Sequence, residues 1–418
     1  MANNSPAIAH LLEKQSALLR PARVSLPEAD AMIKGIGLLL KKAGLDAVCV
    51  AGGSYAKGTI LKDDFDVDLF VRFAYSYRGK DISELLARAI KSLRPERVHG
   101  SRDYFQLRRK KILFEIIPVL KIDDYRKADN VTDMSPLHVG YANSRFARNP
   151  KMRDDVRLAK QFCKAAGVYG AESYIRGFSG HVLDLLIIYY GGFEKLLMQA
   201  ALWGERVVID IERHWSDPVG QLNSSKVISP LVIVDPIQPD RNAAAAISPD
   251  KFEDFKSQAR RFLHSPSGEF FKVKRLDMKE LRKVAGKNEL MVVQASPVEG
   301  KDDVVGTKLL KAFEFLQRML GENDFTVMLS GWEYKPKPVF YFVIRKEKLS
   351  ATKTLRGPPQ SDAANSAAFR KKHRKVSVNS GVLFAEEKRK FLSARKLLAF
   401  LLKDKYLSGK AKSFRLGK

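Results

Sequence analysis

From Pro27 to Gly44 the apolar residues Met32, Ile36, Leu39 and Leu40 return at helical spacing, and Gly44 closes the run, which predicts a helix. Ala47–Ala51 is an apolar run of strand length, AGGSYAKGT follows it as a turn, and Asp66–Phe73 (DVDLFVRF) alternates as a half-buried strand does. A helix over Asp81–Leu93 and a strand over Lys111–Lys121 (KILFEIIPVLK) complete an α/β unit of catalytic type. Beyond Asn149-Pro150 the period lengthens to helices over Lys151–Ala166 and Ser179–Trp203, separated by the tight turn GVYGAESYIRGFSG. Ser248-Pro249 starts a third helix running to Leu263, since serine caps and proline suits a first turn.

The pattern then becomes mixed. Leu290–Ala295, Phe325–Ser330 and Val339–Arg345 read as strands around a helix over Asp302–Leu320. That β-α-β-β order is shared by ferredoxin-like and RNA-recognition folds, but the aromatic motif on which RNA bases stack is missing, so RNA binding on this sheet is not expected. LRGPPQSDAANSAA (355–368) reads as a loop or linker. Behind it Phe391, Leu392, Leu397, Leu398, Leu401 and Leu402 recur between lysines, predicting a helix with one basic face. The expected organisation is an α+β multidomain chain: 1–147 catalytic, 148–265 mostly helical, 266–350 a β-α-β-β unit and 351–418 basic. No internal repeat is present.

Charge narrows the partner. The 418 residues hold 74 Lys and Arg against 47 Asp and Glu, a formal net charge of +27. With 45% hydrophobic residues the chain has enough apolar material to pack, so the excess lies on folded surface. Residues 351–418 alone carry 18 Lys and Arg against 4 Asp and Glu. No run approaches a membrane span, the N-terminal residues lack a secretory pattern, and Cys49 and Cys163 form neither a disulfide framework nor a zinc motif. A cytoplasmic protein with a polyanionic partner, nucleic acid, is the expectation.

The chemistry concentrates in one stretch. Asp66-Val67-Asp68 on a strand sets two carboxylates on one side and Val67 in the core. Two adjacent carboxylates repel, and Mg²⁺, which takes one or two carboxylates plus substrate phosphates, resolves the repulsion. Gly52, Gly53, Ser54, Lys57, Gly58 and Thr59 lie just upstream and offer backbone N–H groups, a hydroxyl and an ammonium as a phosphate cradle. Glu115, alternating with Phe114 and Ile116, supplies a third carboxylate, with Asp103 and Asp123 as the substitutes. A metal-bound triphosphate and two-metal nucleotidyl transfer are implied. No GxxxxGK[ST] follows a strand, which excludes a P-loop kinase or ATPase.

GGSYAKGTILKDDFDVDLF resembles the signature of the nucleotidyltransferase superfamily of DNA polymerase β. SPLHVGYANSRF, VRLAKQFCKAAGVYGAESYIRGFSGHVLDLLIIYYGGF, VDPIQPDRNAAAAIS and FFKVK, in that order, are similar to the archaeal class I CCA-adding enzymes, clearly over Gly52–Lys274 and more weakly through WEYKPKPVFYFVIR and RGPPQ. The resemblance implies a polymerase β-type head, a helical neck, a ferredoxin-like or RRM-like body and a basic tail. It implies addition of C, C and A to tRNA 3′ ends from CTP and ATP, with contacts to the acceptor stem and elbow, by a monomer or homodimer. Residue by residue, Asp66, Asp68 and Glu115 fall on the metal triad for two Mg²⁺ ions. Gly53, Ser54 and Lys57 fall on the triphosphate contacts. Ser135, His138, Lys160 and Tyr169 fall on nucleotide contacts, and Arg241 falls on an arginine that reads the base edge. Lys371, Lys372, Arg374 and Lys375 are the expected tRNA contacts of the basic segment. Two departures stand out: Lys57 occupies a position usually held by Arg, and Glu115 one usually held by Asp. The competing readings are another terminal nucleotidyltransferase, such as a poly(A) polymerase, and a catalytically silent tRNA-binding protein.

Overall fold

The strand alternation around Val67 organises the first part of the chain. The structure, a computed structural model, describes residues 5–21, 27–62, 64, 66–274 and 276–417. Its contacts divide the chain into the units Met1–Lys274 and Arg275–Lys418.

In the first unit, helices α1 (Ser5–Leu19) and α2 (Pro27–Lys42) precede strand β1 (Ala47–Ala51), the one-turn helix α3 (Gly53–Ala56) and β2 (Asp66–Phe73). Helix α4 (Ile82–Ala89) leads to β3 (Glu96–Val98), β4 (Tyr104–Arg109) and β5 (Ile112–Leu120). The five strands form one sheet in the order β1-β2-β5-β4-β3, with β2 and β5 parallel and the other pairs antiparallel. Val67, Leu69, Val71, Phe114 and Ile116 pack with Ile36, Leu40 and Leu86 to form its core. Asp81 caps α4 by accepting from the Glu84 amide at 2.9 Å. The helix expected over Asp81–Leu93 stops at Ala89 and continues only as a 3₁₀ turn, Lys91–Leu93.

The same unit continues with α5 (Ser135–Arg148), α6 (Met152–Ala165), α7 (Gly180–Tyr190), α8 (Phe193–Ala200), β6 (Val207–Asp210), α9 (Pro218–Gln221), β7 (Leu231–Val234) and α10 (Pro249–His264). The single helix expected over Ser179–Trp203 is two: Gly191 at φ 78° and Gly192 at φ 145° take left-handed conformations that end α7, which only glycine adopts without strain. Phe162 is the hub of this second core, with Phe193, Phe255, Phe262 and Phe271 edge-on at centroid distances of 5.6, 6.1, 5.9 and 5.9 Å. Ile8 and Leu12 of α1 pack here too. The first helix, expected within the catalytic part, therefore belongs to the helical core.

The second unit contains α11 (Met278–Ala285), β8 (Glu289–Ser296), α12 (Asp302–Glu322), β9 (Val327–Glu333) and β10 (Val339–Ile344). An excursion follows: β11 (Thr352–Pro359), α13 (Ala363–Lys372), β12 (Val376–Asn379) and β13 (Val382–Lys388). The chain then returns through α14 (Ala394–Leu401) to β14 (Ser413–Leu416). Strand β14 pairs with β8, so the sheet reads β14-β8-β10-β9, and the excursion forms its own sheet, β11-β13-β12. The β-α-β-β pattern read from the sequence is thus extended by a second α-β step. The boundary expected at residue 351 is crossed: Leu397, Leu398 and Leu401 of α14 are buried against α12 and the four-stranded sheet. Phe391 and Leu392, expected in that helix, precede it. Arg389 N–H donates to the Ala351 carbonyl at 2.9 Å, pinning the two ends of the excursion together.

Candidate active site

The chain leaves β1 directly over Asp68. Gly52 N–H donates to the Asp68 carbonyl at 2.8 Å, and Gly53 turns with φ 50° into α3. A Cβ on Gly53 would lie 1.7 Å from Asp68 Oδ2, and one on Gly52 would lie 2.6 Å from the Phe70 ring. The stretch expected as a plain turn is thus a single helical turn, and its glycines let the backbone press against the carboxylate.

Asp66 is exposed, Val67 is buried and Asp68 is half-buried, as the alternation requires. Strand β5 lies parallel to β2 with Glu115 in register with Asp68, so the two side chains share a face. Gln106 of β4 is opposite Glu115, and its Nε2 donates to Glu115 Oε1 at 2.8 Å. Burial pushes the Asp68 carboxyl above its ordinary pKa, with Asp66 adding to the rise while Lys57 and Lys160 oppose it. An acidic row beside a glycine turn is a donor set that suits a hard divalent cation. Among the described residues, His138, His181 and Asp235 also bring three ligand atoms within 4.8 Å of one another.

Helix α6 holds the loop that follows the cradle. Arg153 Nε donates to the Lys57 carbonyl at 3.1 Å, Arg157 Nε to that of Ile60 at 3.0 Å, and Lys160 Nζ to that of Thr59 at 3.1 Å. Arg157 Nη2 takes the Gly58 carbonyl. Positions 153, 157 and 160 share one helix face, so a single stripe of cations captures four consecutive carbonyls. Asn143 of α5 adds a bond to the Ala56 carbonyl at 3.1 Å.

The Lys57 ammonium pairs with Asp184 of α7, a fully buried carboxylate whose Oδ1 has no hydrogen-bond partner among the described residues. Lys160 is only 2% exposed. Its burial brings its pKa down to about 8, with Asp184 opposing the fall and Lys57 assisting it. Tyr169 lies nearby: its hydroxyl and Lys160 Cε are 3.3 and 3.6 Å from where a Cβ on Gly180 would sit. Burial raises the Tyr169 phenol, and Lys164 Nζ stands 5.3 Å from its ring centroid.

A second cluster forms around Asp235, just after β7. His138 Nε2 is 2.9 Å from Asp235 Oδ1, His181 Nε2 is 3.3 Å from Oδ2, and Arg241 Nη1 donates to Oδ2 at 2.8 Å. The two imidazoles face each other at 4.5 Å between centroids. Burial alone would raise the Asp235 carboxyl, but hydrogen bonds from His138 and His181 hold it far below the usual carboxylate range. Burial lowers the His181 pKa, against the pull of Asp235. Ser135 is half-buried at the first turn of α5, one turn before His138.

The structure therefore brings together Gly53, Ser54, Asp66, Asp68 and Glu115 on the inner strands β2 and β5 and the turn after β1, Lys57, Lys160 and Tyr169 around α6 and α7, and His138 with Arg241 around Asp235. Lys371 and Lys372 end α13, while Arg374 and Lys375 lead into β12; all four are exposed in the second unit. Asp184, Asp235, His181, Gln106, Arg153 and Arg157 escaped the sequence reading. The one available signal was Asp184 as a lone charge in the most apolar stretch of the chain.

Three family models match the chain: "Nucleotidyltransferase domain" over 34–132, "tRNA nucleotidyltransferase, second domain" over 154–272 and "CCA-adding enzyme, C-terminal domain" over 258–412. The CCA-adding enzyme of Nanoarchaeum equitans is 32% identical over 332 residues, covering 78% of this chain and 80% of its own. That of Methanosarcina acetivorans is 31% identical over 398 residues, covering 89% and 85%. Among solved structures, the Cid1 poly(U) polymerase superposes with a TM-score of 0.53 at 14% identity over 65% of this chain and 100% of its own, a likeness of fold alone. No helix among the described residues is long and apolar enough to cross a membrane.

Proposed function

The chain belongs to the CCA-adding enzyme family, and from that membership we infer that it is a tRNA nucleotidyltransferase, adding C, C and A to tRNA 3′ ends from CTP and ATP without a nucleic-acid template and releasing pyrophosphate. The observation that supports the chemistry is the row Asp68, Glu115 and Gln106 across three strands, with the Gly53 turn pressed against Asp68. In this reading Asp66, Asp68 and Glu115 would hold two Mg²⁺ ions, which would supply charge to activate the 3′-hydroxyl and to stabilise the departing pyrophosphate. Gly53 and Ser54 give a backbone N–H and a hydroxyl to the triphosphate. Lys57 keeps one of its three ammonium hydrogens on Asp184 and has two to offer. Ser135, His138, Lys160 and Tyr169 hold the nucleotide, and Arg241 reads its base.

The layout that fits is a catalytic head, a helical neck reinforced by α1, a ferredoxin-like body closed by β14, and a tail formed by the excursion 352–388. The protein acts in the cytoplasm as a monomer or homodimer. The test is incorporation from each NTP separately on a tRNA ending at the discriminator base. Ordered C, C and A supports the reading, whereas tailing with one nucleotide points to another terminal transferase and no incorporation points to a tRNA-binding protein without activity.

Lys160 gives this reading a pH signature. A group with pKa near 8 in the free protein must be protonated to attract a triphosphate, so kcat/KM for CTP should fall roughly tenfold between pH 7 and 9. The fall is not unfolding. Between about 8 and 10.5 the folded state holds fewer protons at this site than the unfolded chain, so Lys160's own contribution to stability rises with pH while activity drops. Lys160→Met should remove the alkaline limb. A limb that persists in this variant assigns it to another group.

The basic surface gives a second expectation. Changing Lys371, Lys372, Arg374 and Lys375 to Gln should weaken tRNA binding and reduce the slope of log K against log salt by up to about 3, because each lost phosphate contact releases fewer counterions. Filter binding across a salt series measures it. An unchanged slope makes the four residues solvated charge only.

A further inference from the structure

Asp235 is fully buried and receives five donors. Its Oδ1 accepts from His138 Nε2 at 2.9 Å and from the amides of Ile237 at 2.9 Å and Gln238 at 3.1 Å. Its Oδ2 accepts from His181 Nε2 at 3.3 Å and Arg241 Nη1 at 2.8 Å. An ionised carboxylate only accepts, so both imidazoles carry their hydrogen on Nε2. His138, His181 and Asp235 are close enough to surround a cation, but here both imidazoles lie at hydrogen-bonding distance from Asp235 and the guanidinium supplies positive charge at Oδ2. The backbone repeats the link, since Asp235 N–H donates to the Arg241 carbonyl at 3.0 Å and Arg241 N–H to that of Gln238 at 2.9 Å.

We propose that Asp235 is a positioning residue that divides the Arg241 guanidinium, fixing Nη1 on the carboxylate and leaving the remaining donors as a rigid edge toward the incoming base. The Arg241 side chain is 42% exposed, so that edge is open to a ligand. A guanidinium carries donors and no acceptor. The Watson–Crick edges of cytosine and adenine each present an unprotonated ring nitrogen, which such an edge can meet; uracil and guanine present a ring N–H there, which it cannot. Held still, one donor edge accepts both C and A and turns away U and G. Unheld, the long side chain can swing aside and the discrimination weakens. This inference rests on the reading of Arg241 as the base-reading residue.

The test compares kcat/KM for CTP against UTP, and for ATP against GTP, in the parent and four variants. Arg241→Ala should lower both ratios about 10- to 100-fold, as for loss of a directional base contact. If it does not, Arg241 does not read the base and the underlying reading fails. Arg241→Lys keeps the charge at an accessible position, but one ammonium cannot serve Asp235 and the base as a planar fork does. It should lose as much selectivity as Arg241→Ala. Retained selectivity in Arg241→Lys together with loss in Arg241→Ala overturns the divided fork and leaves the base reading standing. Asp235→Asn should lower the ratios in the parent but change them no further in an Arg241→Ala background, the non-additivity of residues acting through one another. A further additive loss there marks Asp235 as a general support of the fold and overturns its positioning role. If Asp235→Asn does not yield folded protein, Asp235→Glu, which keeps the charge but displaces the carboxylate, takes its place, and unchanged ratios there overturn the positioning role.

Discussion

Replacing Asp68 by Ala abolishes nucleotide incorporation, with an expected loss of at least about 10³-fold in the single-turnover rate, the scale on which removal of transition-state charge stabilisation is felt. Asp68 sits where the sheet, the glycine turn and two lysines converge, in register with Glu115 and against Gly53. Its carboxyl is raised by burial, so the fold tolerates an ionised group there at some cost. A residue kept for packing would show the opposite pattern on removal. Asp68→Ala should melt no lower than the parent and bind tRNA within about twofold of it, because RNA affinity comes mainly from basic surface. Appreciable turnover in this variant, or a large fall in melting temperature with parent-like turnover, removes Asp68 from the chemistry.

The second large effect is at Glu115. Glu115 has one methylene more than the Asp that the resemblance leads one to expect there, and a misplacement of about 1 Å costs roughly 10²-fold in rate. Gln106, its cross-strand partner, donates to Glu115 Oε1 at 2.8 Å. Glu115→Gln should lower the first C addition about 10²-fold or more while CTP binding survives. Glu115→Asp should stay active, since it restores the shorter ligand. Parent-like rates in Glu115→Gln leave the third ligand to be sought elsewhere. Asp103 and Asp123, the substitutes suggested by sequence, are already engaged with Arg97 at 2.8 Å and Lys127 at 2.7 Å.

What could be read in advance was what is local. The alternation through Val67 and the pattern of Phe114–Val119, apolar but for Glu115, contain their own strand periodicity, so β2 and β5 followed from spacing, as β1 did from its short apolar run. Strands β3 and β4 did not, because ERV and YFQLRR are short and polar enough to pass for loop. The break at Gly191-Gly192 was hidden because the apolar pattern runs on across it while the backbone does not. The missed site residues share a different cause. Lys57 and Asp184 are 127 positions apart, and His138 and Asp235 are 97 apart, so their pairing is a property of tertiary packing that no local period carries. Strand β14 was lost for the same reason: its partner β8 lies more than a hundred residues upstream.

The bond between Arg389 and Ala351 has a consequence for how this surface can evolve. The excursion 352–388 enters and leaves the second unit through one pinched neck, while the sheet β14-β8-β10-β9 closes without it. Lengthening a loop whose ends are already held together adds only a logarithmic entropy term, about 0.6 kcal/mol for each doubling. The exposed basic residues of this segment can therefore drift, expand or be exchanged for another module with little strain passed to the frame. The scaffold and the surface it displays are thus joined at two adjacent strand ends, Thr352 and Lys388.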